Sequence, residues 1–248
     1  MVLRGAMNPE PRLHRDEDAS SQASHLAAAI AAVLAEALKL RPRAGLVVSG
    51  GSTPHPMYSK LAQHPLDWSR VYVTLTDERW VATDDPDSNE GRVRASLMRA
   101  NASVAKFVGL KNDARRPTDG AAAAWAALDA VPRPFDVVLL GMGADGHVAS
   151  LFPGSAELDQ GLDPGAIPAC VAVQPPAASH PRLSLNLAAL LQSRHIFVQI
   201  TGAEKWQTYE KAHTQGTARY LPVRAVLQQG LVPVDVYWSP DTPAGRTA

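Results

Sequence analysis

A single cysteine, Cys170, stands among 248 residues, so no internal disulfide can staple the chain and a reducing compartment suits it. Nothing near Cys170 marks it as a nucleophile, and a small buried hydrophobe is the role expected of it. An excess of one charge is also lacking. Lys and Arg number 24 and so do Asp and Glu, which leaves no global field to recruit nucleic acid or an anionic membrane. The continuous apolar runs fall short of the ~20 residues that span a bilayer, and the amino terminus, MVLRGAMNPEPRLHRDED, has no signal-peptide core. The chain has no GK[ST] ending for a Walker A loop, no HExxH and no GxSxG elbow. His14, His25, His55, His64, His180, His195 and His213 are scattered without metal-ligand spacing. These absences predict a cytoplasmic enzyme that uses no metal and captures any anionic ligand by local geometry. One domain over 1–248 is expected, with mobile ends at about 1–18 and 239–248.

Short Val- and Leu-rich runs alternate with amphipathic or alanine-rich stretches. Ser20 or Ser21 can cap a helix whose Leu26, Ile30, Val33, Leu34, Ala37 and Leu38 share one stripe, and Arg41-Pro42 ends it. Further helices are predicted over 54–62, 89–99, 121–130 and 203–212. Strands are predicted over 45–49, 71–76, the run from Phe135, 171–173, 182–185, 196–201 and 234–238. Helices between short apolar strands predict an α/β fold, an open and mainly parallel sheet with helices on both faces. Ligands then belong at the carboxyl edge of the strands.

The stretch FDVVLLGMGADGHVASLFPGS, residues 135–155, is the most informative. An apolar strand runs into a turn in which Gly141, Gly143 and Gly146 allow close backbone approach, and Asp145 and His147 can orient or move a proton. Pro153 and Gly154 stop any helical turn begun at Val148. Gly141 to Gly146 also fits the GxGxxG dinucleotide pattern. However, Asp145 would oppose a pyrophosphate, and the residues about 20 further on form a Pro/Gly-rich loop rather than a strand ending in an acid, so nucleotide binding is not expected. Three other clusters fall on the same edge. Ser49-Gly50-Gly51-Ser52-Thr53-Pro54 is either a tight strand-to-helix turn, with Thr53 as cap, or a phosphate cradle. Thr76-Asp77-Glu78-Arg79-Trp80 is either a solvated ion-pair cluster or an anion grip in which Asp77 or Glu78 steadies Arg79. Lys205, in the first turn of a helix after Thr201-Gly202, conflicts with the helix dipole unless an anion is bound there. Arg182, opening a short strand, is a further candidate anion ligand.

Together SGGSTP at 49–54, TDERWV at 76–81, DSN at 87–89, GMGADGHVASLFPGS at 141–155, PRLSL at 181–185 and TGAEK at 201–205 resemble the 6-phosphogluconolactonases, in order and spacing. The related glucosamine-6-phosphate deaminases share several of these elements. They carry Asn-Glu-Pro shortly after the DGH histidine and an aromatic residue after Asp-Glu, where this chain has Ser150-Leu151-Phe152-Pro153 and Arg79-Trp80. The resemblance implies a sugar-phosphate isomerase-like fold and hydrolysis of 6-phosphoglucono-δ-lactone without metal or organic cofactor. It implies His147 as the base that activates water, with Asp145 to orient it and Arg79 to position substrate. Gly50, Gly51, Ser52, Thr53, Asp77, Asn89, Arg182 and Lys205 are then the substrate- and phosphate-binding set. A monomer is expected, or else a weak dimer, with a small sugar phosphate as the only partner. A deaminase or isomerase using Asp77 as base and a non-catalytic sugar-phosphate sensor are the competing readings. No helix-turn-helix segment fits the short leader, which disfavours the sensor.

Overall fold

The computed structural model describes residues 10–176 and 179–241. Its strands are β1 (Arg12–Arg15), β2 (Ala44–Val48), β3 (Val71–Leu75), β4 (Asp77–Arg79), β5 (Lys106–Phe107), β6 (Val137–Gly141), β7 (Cys170–Val173), β8 (Arg182–Leu185), β9 (Ile196–Thr201) and β10 (Val234–Ser239). Its α-helices are α1 (Ala19–Leu40), α2 (His55–Leu61), α3 (Asn89–Ser96), α4 (Pro117–Ala127), α5 (Leu158–Gly161), α6 (Leu187–Leu191), α7 (Ala203–His213) and α8 (Val223–Leu227). Seven strands pair in parallel in the order β1-β10-β9-β6-β2-β3-β5. Every residue of β2 and β3 is buried, and successive side chains of a strand point to opposite faces, so both faces of the sheet are covered. This is the predicted α/β architecture.

The order of the strands locates the site. From β2 the chain moves outward through β3 to β5, then returns to the other side of β2 as β6 and continues to β9 and β10. The loops after β2 and β6 therefore leave in opposite directions and open a crevice at the carboxyl edge, the switch point where open α/β sheets bind ligands. Ser49 stitches this point: its Oγ donates to the Leu139 carbonyl at 3.0 Å and accepts the Gly141 N–H at 3.2 Å.

Helix α1 is long and apolar enough, averaged over its alanines, to meet the length and hydropathy of a membrane span, which inspection of continuous runs did not anticipate. Its Leu26, Ile30 and Leu34 are fully buried in the main core, which includes strand residues of the sheet; each such side chain gains about 1.5–3 kcal/mol from burial. Its N-cap is Asp18, whose carboxylate accepts the Ser21 N–H at 2.7 Å, rather than either serine.

Part of the expected mobile leader is ordered. Residues 12–15 form edge strand β1 because Arg12 and His14 both bond the buried carboxylate of Asp235 on β10, at 2.8 and 2.6 Å, which His195 also contacts at 2.6 Å. Burial would raise the Asp235 carboxyl, but its hydrogen bonds with His14, Arg12 and His195 and the charge of Arg12 hold it below its ordinary value. Likewise Ser239, placed in the mobile carboxyl end, closes β10 and is buried. Residues 1–9 and 242–248 lie outside the described residues. A second, antiparallel sheet β4-β8-β7 was not foreseen. Its β4 is three residues long and polar, so no apolar alternation announces it.

Candidate active site

His147 stands on a knot of turns, not on a helix. Met142 bridges Val148, Val148 bridges Leu151, and the Gly143 N–H donates to the His147 carbonyl at 2.9 Å, so the helical turn expected from Val148 does not form. The glycine pattern thus opens no helix, unlike a dinucleotide-binding turn. Asp145 Oδ1 accepts the His147 backbone N–H at 3.1 Å and meets its Nδ1 at 2.6 Å. With a carboxylate as acceptor, Nδ1 carries the proton and Nε2 keeps its lone pair. Burial would raise the Asp145 carboxyl; the hydrogen bonds it accepts from the ring and backbone of His147 outweigh it and hold the group below its ordinary value. Position 143 must be glycine for this pair to exist, since a Cβ there would overlap both the imidazole and the Asp145 carboxylate. Phe152 packs its ring against the imidazole, centroids 4.2 Å apart.

The crevice is a cleft of about 190 Å³. His147, Arg79, Gly50, Gly51, Ser52, Thr53, Asp77, Asn89, Arg182 and Lys205 all line it, and Asp145 stands behind His147. The loop after β2 is open to a ligand. Helix α2 begins at Pro54 without a side-chain cap, so Thr53 does not serve as one. Among the described residues, the N–H groups of Gly51, Ser52 and Thr53 and the hydroxyls of Ser52 and Thr53 make no hydrogen bond. Gly50 packs so closely on Asn89 that a Cβ would overlap its side chain. Lys205, part-buried on the first turn of α7, forms no ion pair or hydrogen bond among the described residues. Burial draws its ammonium below the ordinary lysine value, only partly offset by Glu204 and Asp241.

Strands β4 and β8 bring two arginines to the cleft. Antiparallel pairing of β4 with β8 sets Arg79 directly across from Arg182. Like charges so placed repel, a local conflict that marks a binding site. The Nε of each guanidinium is buried and unpartnered, and so is Asn89 Oδ1. Buried polar atoms are normally paired, and these three belong to residues that line the cleft. Neither Asp77 nor Glu78 grips the Arg79 guanidinium, contrary to expectation; its Nη1 donates to the Asp87 carbonyl at 2.5 Å. Glu78 instead organises backbone. Its carboxylate accepts the N–H groups of Arg79, Asn89 and Glu90, each at 2.7 Å, which docks the start of α3 on β4. Burial pushes the Glu78 carboxyl up to about 7 despite those donors. Asp77 faces Arg182, with its Oδ2 at 3.9 Å from Nη1.

Comparison with known proteins agrees with this geometry. The family model of glucosamine-6-phosphate isomerases/6-phosphogluconolactonase matches residues 17–238. The chain belongs to this family. A 6-phosphogluconolactonase of Pseudomonas aeruginosa is 41% identical over 222 residues, covering 90% of this chain and 92% of the relative. One of Caulobacter vibrioides is 43% identical over 216 residues, covering 86% and 90%. The crystal structure of a 6-phosphogluconolactonase from Shewanella baltica superposes with a TM-score of 0.90 at 45% identity, covering 94% of this chain and all of the other.

Two residues of this family member were named in the sequence motifs but given no role of their own there. Ser49 stands at the head of the candidate cradle, where its hydroxyl joins β2 to β6. Ser150 stands in the segment that differs from the deaminase pattern, and its hydroxyl bonds Asp77 across the fold, which no local signal announces; the structure buries Ser150. Ala149 beside it lies at φ +49°, a left-handed conformation that costs a non-glycine residue ~1–2 kcal/mol, and it lines the cleft.

Proposed function

We propose that the chain hydrolyses 6-phospho-D-glucono-1,5-lactone to 6-phospho-D-gluconate, the lactone-opening step of the oxidative pentose phosphate pathway. The observation that carries this reading is the His147–Asp145 pair, at 2.6 Å, in a cleft that also holds an ammonium without ion pair or hydrogen bond among the described residues and a loop of free N–H and hydroxyl donors. A lactone carbonyl is already electrophilic, so an activated water suffices and no covalent enzyme intermediate is needed. His147 Nε2 takes a proton from water as the water oxygen bonds to C1. The C1–O5 bond then breaks and the ring oxygen recovers the proton from Nε2. The new carboxylic acid ionises, releasing one proton to solvent. Asp145 holds the tautomer and steadies the transient imidazolium.

Ser52, Thr53 and Lys205 bind the phosphate in this reading. Lys205, on α7 after β9, and Arg79, at the end of β4, line the same cleft, which supports one ligand reaching both. Arg182 stands across from Arg79 in the β4–β8 pairing and lines the same cleft as Lys205, which supports a place for it in the substrate- and phosphate-binding set beside Arg79. The two arginines position the lactone ring and stabilise the oxyanion at C1. Phosphate binding remote from C1 orients the ring before reaction, which is how distant contacts serve the chemical step.

The test is proton release from freshly prepared 6-phosphogluconolactone, corrected for spontaneous opening, beside ammonia release from glucosamine 6-phosphate. Proton release without ammonia is expected, with His147→Ala slower by about 10²–10⁴-fold. Ammonia release, or a His147→Ala variant with full activity, overturns the reading.

A further inference from the structure

One buried hydroxyl ties the His147 turn to the two strands that carry the arginines. Ser150 is fully buried. Its Oγ donates to Asp77 Oδ2 at 2.6 Å, and its backbone N–H donates to Ser184 Oγ at 3.1 Å. Asp77 and Ser184 are themselves cross-strand partners on β4 and β8, so Ser150 grips both strands at one rung. Asp77 Oδ1 is held separately, by the Thr76 hydroxyl at 2.9 Å. Its Oδ2 is the oxygen that faces Arg182. Phe152, two residues on, lies between the same two groups, its ring 4.2 Å from the imidazole of His147 and 5.6 Å from the Arg182 guanidinium carbon.

We infer that Ser150 is a positioning residue for the reaction: its hydroxyl fixes Asp77 Oδ2 toward Arg182 and so sets the arginine pair at its working place in the cleft that His147 also lines. The inference rests on the lactone-hydrolysis reading above. Two guanidinium groups facing each other across β4 and β8 must be offset by negative charge, and Asp77 is the carboxylate nearest Arg182 in that arrangement. A carboxylate pinned at only one oxygen can turn about its Cβ–Cγ bond. Pinned at both, by Thr76 and Ser150, it offers Arg182 one fixed partner. Ser150 is not among the residues lining the cleft, so it reaches the substrate only through Asp77 and Arg182.

The test is a double-mutant cycle of Ser150→Ala and Arg182→Ala, read by steady-state hydrolysis of 6-phosphogluconolactone, with inorganic phosphate as a competitive probe of the Lys205 end and thermal melting as a check of the fold. Loss of a hydrogen bond to a charged group predicts a fall in kcat of about tenfold or more for Ser150→Ala. The phosphate inhibition constant should stay within about twofold. In the Arg182→Ala background, Ser150→Ala should cost less than about twofold, because the two act as one unit. Should the alanine variant fail to fold, Ser150→Cys, close in volume and a weak donor, carries the same cycle with the same criteria. A loss of equal size in both backgrounds, or a phosphate constant that moves as much as kcat, overturns the role of Ser150 while leaving the lactonase reading intact. A wild-type protein inactive on the lactone overturns both.

Discussion

Replacing Asp145 by Asn keeps an oxygen where Asp145 Oδ1 now receives two donors, the His147 N–H at 3.1 Å and Nδ1 at 2.6 Å. The tautomer therefore survives and only the charge is lost. Hydrogen bonds to charged groups contribute about 1.5–3 kcal/mol and neutral ones about 0.5–1.5, so the difference is roughly 1–1.5 kcal/mol. At ~1.4 kcal/mol per decade this is a fall in kcat of about five- to twelvefold for Asp145→Asn. Asp145→Ala removes the acceptor as well and should cost about a hundredfold, approaching His147→Ala. The assay is initial-rate proton release at saturating 6-phosphogluconolactone, with the spontaneous rate of each batch subtracted. Acid titration gives an independent check. The Asp145 carboxyl is held below its ordinary 3.8, so its pairing stabilises the fold above that pH and the contribution is lost as pH falls through the lowered value. In Asp145→Asn that part of the acid-induced loss should vanish. Full activity in Asp145→Ala would refute the reasoning, as would an Asn variant as crippled as His147→Ala, which would make Asp145 more than an orienting group.

Three further outcomes are expected. Lys205→Ala should raise KM for the phosphorylated lactone by tenfold or more and leave hydrolysis of unphosphorylated gluconolactone nearly unchanged, since the ammonium has no structural partner among the described residues; equal losses on both substrates count against it. Gly50→Ala should push Asn89 from its place, impair substrate binding and lower the melting temperature, because the added methyl would overlap Asn89 back to its Cβ, which moves only with the start of α3; unchanged kinetics would show that Asn89 is not needed where it stands. Cys170 is buried with its thiol pushed up to about 12, so iodoacetamide at pH 8 should label it only after unfolding; rapid labelling of the native protein would contradict its placement.

Much of the site was legible because its residues sit in short local motifs. Asp145 and His147 are two residues apart, and Gly50 to Thr53 are consecutive, so a turn places each group without help from the rest of the chain. Lys205 announced itself by a conflict with the helix dipole. Arg79 and Arg182 were each visible, yet their opposition was not, because it depends on a three-residue antiparallel register between segments a hundred positions apart. Strand β1 was missed for a similar reason: the polar RLHR pairs only because Asp235 waits near the other end of the chain.

What the sequence alone determined was local: the apolar runs that had to become buried parallel strands, the helices between them, and the glycine, hydroxyl, imidazole and cationic groups that had to emerge at strand ends. What only the tertiary structure decided was which of those ends became neighbours. Strand order put the loops of β2 and β6 on either side of a crevice, and the β4–β8 register put two arginines face to face with one aspartate and a buried serine to hold them. Periodicity is written in neighbouring residues, whereas register and strand order follow from burying both faces of one sheet, a requirement that the whole chain meets at once.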